Sequence, residues 1–277
     1  MYNPFKTLPL SLFLCGFATV IAQETNSSTT PQGASPDSPH EMSEHSIITD
    51  RPDATESPNT VEPGFVQIET GGYYTRFEEN DITSETLGYN TTLARIGLLE
   101  NLELRLGVNY EQNQSDFKSL TPMLAGIKIN LFEGRSGTDF GFLGHLYLPF
   151  TTSTPEAHEG TTPEPKTTGA DFRFSVGHEL SDRSGIAYNL GGQWSGDNTG
   201  MAFVYTVAYG YALSDKIGAY VELYGDAPEL SSANHYWDAG FTYLAGWNLQ
   251  YDLTFGRSIT DGQDLLLSAG LSYKYAY

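Results

Sequence analysis

What the chain lacks narrows the possibilities first. Beyond Ala22 there is no run near the roughly 20 apolar residues that a membrane-crossing helix requires, which excludes a helical membrane protein. Basic residues are scarce: 14 Lys and Arg stand against 34 Asp and Glu, a formal charge of -20, with no basic stripe anywhere. Phosphate backbones need a basic surface, which argues against nucleic acid as a partner. The one cysteine, Cys15, lies in a segment expected to be removed, so the mature chain is expected to have no disulfide and no thiol chemistry. Tyrosine and glycine, by contrast, are plentiful at 18 and 29 residues, and they suit alternating strands whose two faces meet different solvents. A mean hydropathy of -0.32 fits such strands, because every second residue faces water.

The alternation is plainest at the C-terminus. Leu265, Leu267, Ala269, Leu271, Tyr273, Tyr275 and Tyr277 share one face, while Leu266, Ser268, Gly270, Ser272, Lys274 and Ala276 share the other. A soluble protein covers or charges such an edge. In a bilayer the leucines meet hydrocarbon and the tyrosines form an interfacial girdle. The pattern resembles the C-terminal targeting strand of outer-membrane β-barrels, which implies the lipid bilayer and the outer-membrane assembly machinery as partners.

At the other end, Lys6 precedes a mostly apolar stretch from Leu8 to Ile21, and Val20 and Ala22 are small enough for signal peptidase. Residues 1–22 are predicted to be a signal peptide cleaved after Ala22. Leu14 is too bulky for Cys15 to be a lipoprotein site. Residues 23–46, rich in Ser, Thr, Pro and acid, are predicted to be a disordered linker. His40 and His45 lie there beside Glu41 and Glu44, and flexible ligands without a supporting shell bind metal weakly. No metal or other cofactor is expected.

Ile47 to Gly64 reads IITDRPDATESPNTVEPG. Three prolines and several Asx, Ser and Thr residues make 47–63 irregular, pinned by local side-chain to backbone bonds. Such a segment cannot cross lipid, because its backbone groups would have no partners. It can lie in a barrel lumen or over its periplasmic mouth. Arg51 could pair with inward carboxylates and hold it as a plug; a cap that merely anchors the first strand is the other reading. The run Thr49-Asp50-Arg51-Pro52-Asp53, followed by Thr55-Glu56-Ser57-Pro58 and Pro63-Gly64-Phe65-Val66-Gln67-Ile68-Glu69, resembles the outer-membrane transporters associated with the meta-cleavage pathway of phenol degradation. The resemblance implies a barrel in the outer membrane of a Gram-negative bacterium, with a transport role and aromatic or other hydrophobic solutes.

About twelve alternating segments lie between Gly64 and the terminus, near 64–77, 85–98, 102–112, 121–132, 138–150, 168–180, 185–195, 200–213, 216–225, 235–246, 249–257 and 264–277. Each approaches the roughly 10 residues of a tilted membrane strand. Short connections, such as Glu100-Asn101 and Trp247-Asn248, alternate with mostly longer polar ones, such as Glu78 to Ser84 and Thr151 to Thr167. Outer-membrane barrels alternate in this way, with short turns and both termini on the periplasmic side. The predicted fold is therefore all-β, a transmembrane antiparallel up-and-down barrel of about 12 strands over residues 64–277.

Carrying the phase through places Gln67, Glu69, Glu103, Arg105, Glu111, Lys128, Asn130, Asp171, Arg173, Glu179, Glu222, Asp238, Asp252 and Lys274 inside. About twelve strands leave a narrow or partly blocked passage. These charges either rigidify the wall as an ion-pair network or form a selective conduit, with Glu103, Arg105, Lys128 and Arg173 at its constriction. Outer-membrane phospholipases place a His two residues before a Ser on one strand face. Here His145, His178 and His235 are followed at that spacing by Tyr147, Leu180 and Trp237, and there is no Gly-x-Ser-x-Gly. A lipid-modifying enzyme is thus disfavoured, and no catalytic residue is assigned. The expected function is passive passage of small-molecule solutes. The alternative is a structural or surface-interaction barrel whose acidic loops, with Glu156, Glu159 and Glu164, meet cations or surfaces.

Overall fold

A computed structural model describes residues 46–79, 82–113, 118–134, 137–149, 168–196, 200–260 and 262–277. The predicted signal peptide, all but Ser46 of the predicted linker, and the long loop carrying Glu156, Glu159 and Glu164 lie outside the described residues. The strands are β1 (Phe65–Glu79), β2 (Ile82–Leu99), β3 (Leu102–Asn113), β4 (Lys118–Leu120), β5 (Met123–Gly134), β6 (Thr138–Leu148), β7 (Gly169–Ser181), β8 (Ser184–Trp194), β9 (Ala202–Ala212), β10 (Ile217–Pro228), β11 (Asn234–Gly246), β12 (Leu249–Ser258) and β13 (Gly262–Ala276).

Neighbouring strands pair antiparallel in chain order, and β1 pairs with both β2 and β13, so the sheet closes on itself. Closure removes the edge that an open sheet would expose to lipid. Twelve courses surround the lumen, because β4 and β5 both lie along β3 and count as one. β4 opposes Tyr110 to Gln112, and β5 opposes Leu102 to Gly107. Pro122 stands between them and has no N–H to continue the ladder.

The first predicted long loop, Glu78 to Ser84, is largely ladder. β1 and β2 keep pairing as far as Glu79 opposite Ile82. At 15 and 18 residues they exceed the roughly 9–11 that a membrane strand needs and project past the bilayer. Thr75, Thr83 and Thr86 favour β structure there.

The interior is inverted relative to a soluble protein. Among the described residues the buried set holds seven apolar side chains and twenty-three polar or charged ones, so apolar burial inside the barrel does not hold it together. The large apolar side chains point outward instead. Leu253 is 57% exposed and Phe241 57%, while Asp252 and Thr254, on either side of Leu253, are buried. That outer face meets hydrocarbon.

Leu253 sits at mid-height of β12. Leu253→Arg is expected to lower the unfolding free energy by about 2–4 kcal/mol in phospholipid vesicles, measured by urea titration.

Candidate functional site in the barrel lumen

Residues 46–63 run through the lumen. The segment starts at the short-turn end, where the Ile47 N–H donates to the Trp247 carbonyl at 2.7 Å. It returns to the same end, where Glu62 pairs with Lys274 at 2.9 Å and the Val61 N–H donates to Glu103 at 2.8 Å. Between these points it bonds to side chains on opposing walls. Irregular backbone at membrane depth is tolerated only when protein or water satisfies it, and here the inner wall supplies the partners.

Asp50 is the hub. One carboxylate oxygen, Oδ2, accepts Lys128 Nζ at 2.6 Å, Arg105 at 2.7 Å and Arg95 at 2.9 Å. The other, Oδ1, accepts the Ser57 N–H and hydroxyl at 3.1 and 2.9 Å, closing the segment on itself. Glu56 joins the same cations, using both oxygens in a bidentate pair with Arg105 at 2.9 and 3.0 Å and meeting Lys128 at 3.1 Å. Arg95 also grips Glu103 at 2.8 Å and Glu69 at 3.0 Å. Four carboxylates thus face three cations on β1, β2, β3, β5 and the segment, all largely shielded from water. Burial pushes the Asp50 carboxyl up, but Arg95, Lys128 and Arg105 together outweigh it and hold the group well below its ordinary range.

The other predicted residues are distributed as follows. Arg51 leaves the hub and makes a bidentate pair with Asp252 on β12 at 3.1 and 2.9 Å, with further bonds to Thr91 and Ser268. Its guanidinium lies over Gly71 and Gly270, which oppose each other across β1 and β13; a Cβ on either would fall on it. Pro52 and Asp53 line a cavity of about 360 Å³ toward the short-turn end. Pro58 packs over Gly141 and Gly177. Arg173 donates to the Ala54 carbonyl at 2.9 Å, and Glu222 accepts the Ala54 N–H at 2.8 Å and the Thr55 hydroxyl. Glu179 does not join the network; it is exposed at the short-turn mouth.

Sequence reasoning missed Arg95, Asn189 and Ser175. Asn189 accepts the Glu56 N–H at 2.7 Å and donates to the Glu56 carbonyl at 2.8 Å, so one amide serves both backbone groups as a neighbouring strand would. Ser175 donates to the same carbonyl. Arg95 was readable, since Leu93, Arg95 and Gly97 alternate with Ala94, Ile96 and Leu98. Nothing in the sequence marks Asn189 or Ser175 apart from other inward polar residues. The described histidines pair elsewhere: His145 with Asp171 at 2.8 Å, His178 with Thr138 at 2.9 Å, and His235 with Tyr205 at 2.6 Å.

Space remains on both sides of the segment. Toward the long loops lies a cavity of about 320 Å³, walled by Leu93, Val108, Leu124, Pro122 and Tyr147 and floored by Arg51, Glu56 and Arg105. Toward the short turns an open space of about 990 Å³ reaches Asp53, Pro58 and Tyr220.

A closed barrel of this kind, greasy outside and threaded by its own N-terminal segment, is an outer-membrane β-barrel of Gram-negative type. The family described as "Putative MetA-pathway of phenol degradation" matches residues 49–275, and the chain belongs to it. An outer-membrane channel from Pseudomonas putida F1 shares the fold at 10% identity and a TM-score of 0.61, over 81% of this chain and 100% of that one. The translocator domain of the autotransporter NalP from Neisseria meningitidis is 12% identical with a TM-score of 0.48, covering 76% of this chain and 88% of its own. The CymD monoaromatic hydrocarbon channel is 10% identical with a TM-score of 0.42, covering 78% and 89%. No curated protein matches the sequence.

Two outcomes are expected. Asp50→Ala leaves three buried cations short of their common anion and should cost about 3–5 kcal/mol of stability in detergent-micelle unfolding. In wild type that contribution should be present above the ordinary carboxylate range and be lost only as pH falls through the depressed Asp50 value. Gly270→Ala should displace the guanidinium and lower the thermal midpoint about as much as Arg51→Ala does, with no further drop in the double variant.

Proposed function

We propose that this barrel is a passive channel for small, mainly aromatic or hydrophobic molecules, closed at rest by residues 46–63. The observation that carries this reading is the segment's mode of attachment. It bonds to the wall almost wholly through side chains and is not a member of the sheet, so it can leave its seat without opening the barrel. Glu69, Glu103, Arg105, Lys128, Arg173 and Glu222, with Asp50, Arg51 and Glu56, are the contacts that set how readily it leaves. Glu179 lines the periplasmic mouth.

The family's association with phenol degradation suggests the solute class. The cavity on the long-loop side supports it, offering apolar walls beside Thr91, Asn109 and Thr121. A site that sets apolar walls against several polar groups suits a small ring bearing one hydroxyl. Transfer is by diffusion, with no chemical step. Asp264 to Tyr277 is read as the strand by which the assembly machinery recognises the chain.

Solute uptake into liposomes tests the proposal. The full chain is expected to pass phenolic probes faster than sugar-like ones, and removal of residues 23–61 to raise both rates severalfold. A barrel that stays impermeable after that removal is a structural one.

A further inference from the structure

The two walls that hold the lumenal segment differ in kind. On the β1 to β5 side, carboxylates meet guanidinium and ammonium groups. On the β10–β11 side, Glu222 and Asp238 oppose each other directly in the ladder, and both are buried, at 1% and 2% exposure. Asp53 of the segment faces the same wall. Among the described residues none of these three acids forms an ion pair with a base.

Among the described residues the surroundings of Glu222 and Asp238 contain no compensating cation. From the segment come Asp53, Ala54 N–H and the Thr55 hydroxyl; from β9, Thr206; from their own strands, Tyr220, Tyr224 and Tyr236; from β12, Thr254, which bonds to Tyr220 at 2.8 Å. Two bases that touch the segment are otherwise engaged: Arg51 with Asp252, and Arg173 with the Ala54 carbonyl and Asp171. Among the described residues Asp238 Oδ1 is buried without a hydrogen-bond partner. Two carboxylates directly opposed in a buried site cannot both ionise cheaply, so such a pair retains one proton. The Asp53 carboxyl is pushed well above its ordinary range, by burial first and then by Glu222 and Asp238.

We propose that Glu222 and Asp238 form a proton-held latch: while they share a proton, Glu222 grips Ala54 and Thr55 and keeps the segment across the lumen, and loss of that proton releases it. The proposal rests on the segment being the closing element. The proton leaves to water through the open space at the short-turn mouth, which reaches Asp53 and Tyr220. Once it has gone, two negative charges face each other beside Asp53, and the segment is the only one of the three parties that can withdraw. Because the docked state holds a proton that the released state gives up, docking is favoured at low pH and weakened as pH rises. The basic wall does not share this response, since Asp50 stays ionised far below that range and arginine stays charged above it.

Single-channel conductance of the full chain in planar bilayers, from about pH 5 to about pH 9, tests the latch. Conductance is expected to be low at the acid end and to rise severalfold toward the alkaline end. In Asp238→Asn the amide can donate to Glu222 without a titratable proton, so the alkaline rise should shrink severalfold, to the residual response of Asp53. Glu222→Gln, which keeps an acceptor for Ala54 and Thr55, should behave alike. A flat wild-type profile, or an alkaline rise undiminished in both variants, overturns the latch. The chain lacking residues 23–61 separates the two readings. If it conducts freely at every pH while wild type stays flat, the closing role stands and the latch falls; if it conducts no better than wild type, the closing role itself fails.

Discussion

The lumen is organised around one carboxylate oxygen. Asp50 Oδ2 is within 2.9 Å of Lys128, Arg105 and Arg95, three cations that come from three different strands. Like charges packed so closely inside a barrel would repel strongly without an anion between them. The wall therefore needs the segment as much as the segment needs the wall. Glu103 and Glu69 meet part of the need from the wall itself, while Asp50 and Glu56 of the segment supply the ion pairs to Lys128.

This mutual dependence sets the character of the closure. Buried ion pairs contribute little net stability relative to apolar packing, yet breaking one partner is costly. A segment held in this way is specific in position. The single Asn189 amide that serves both backbone groups of Glu56 works in the same direction: it satisfies an irregular backbone that the bilayer could not. The acidic wall at Glu222 and Asp238 adds a contact of different kind, one that depends on a proton where the basic wall depends on fixed charge.

The fold is legible in the sequence to within a few residues at most strand ends. Two solvents, lipid outside and water inside, force a period of two on every strand, and that period can be counted directly. Sequence and structure part company for local reasons. The Glu78 to Ser84 stretch is polar and reads as a loop, yet the β1–β2 ladder runs on into it, with Glu78 opposite Thr83 and Glu79 opposite Ile82. Pro122 reads as an ordinary strand residue but splits one course into β4 and β5. The phase also places Arg105, Lys128, Glu103 and Glu222 on the inner wall, because inwardness follows from alternation alone.

The sequence by itself determined the class: a barrel with a polar interior, preceded by an irregular segment rich in charge and proline. It could not determine which charge meets which. Asp50 lies 45 residues from Arg95 and 78 from Lys128 along the chain, and Asp252 lies 201 residues from Arg51. Only closure of the sheet brings these groups to one height and one side of the lumen. Period two fixes the face of each side chain, whereas the stagger of the strands fixes its depth, and depth belongs to the folded barrel.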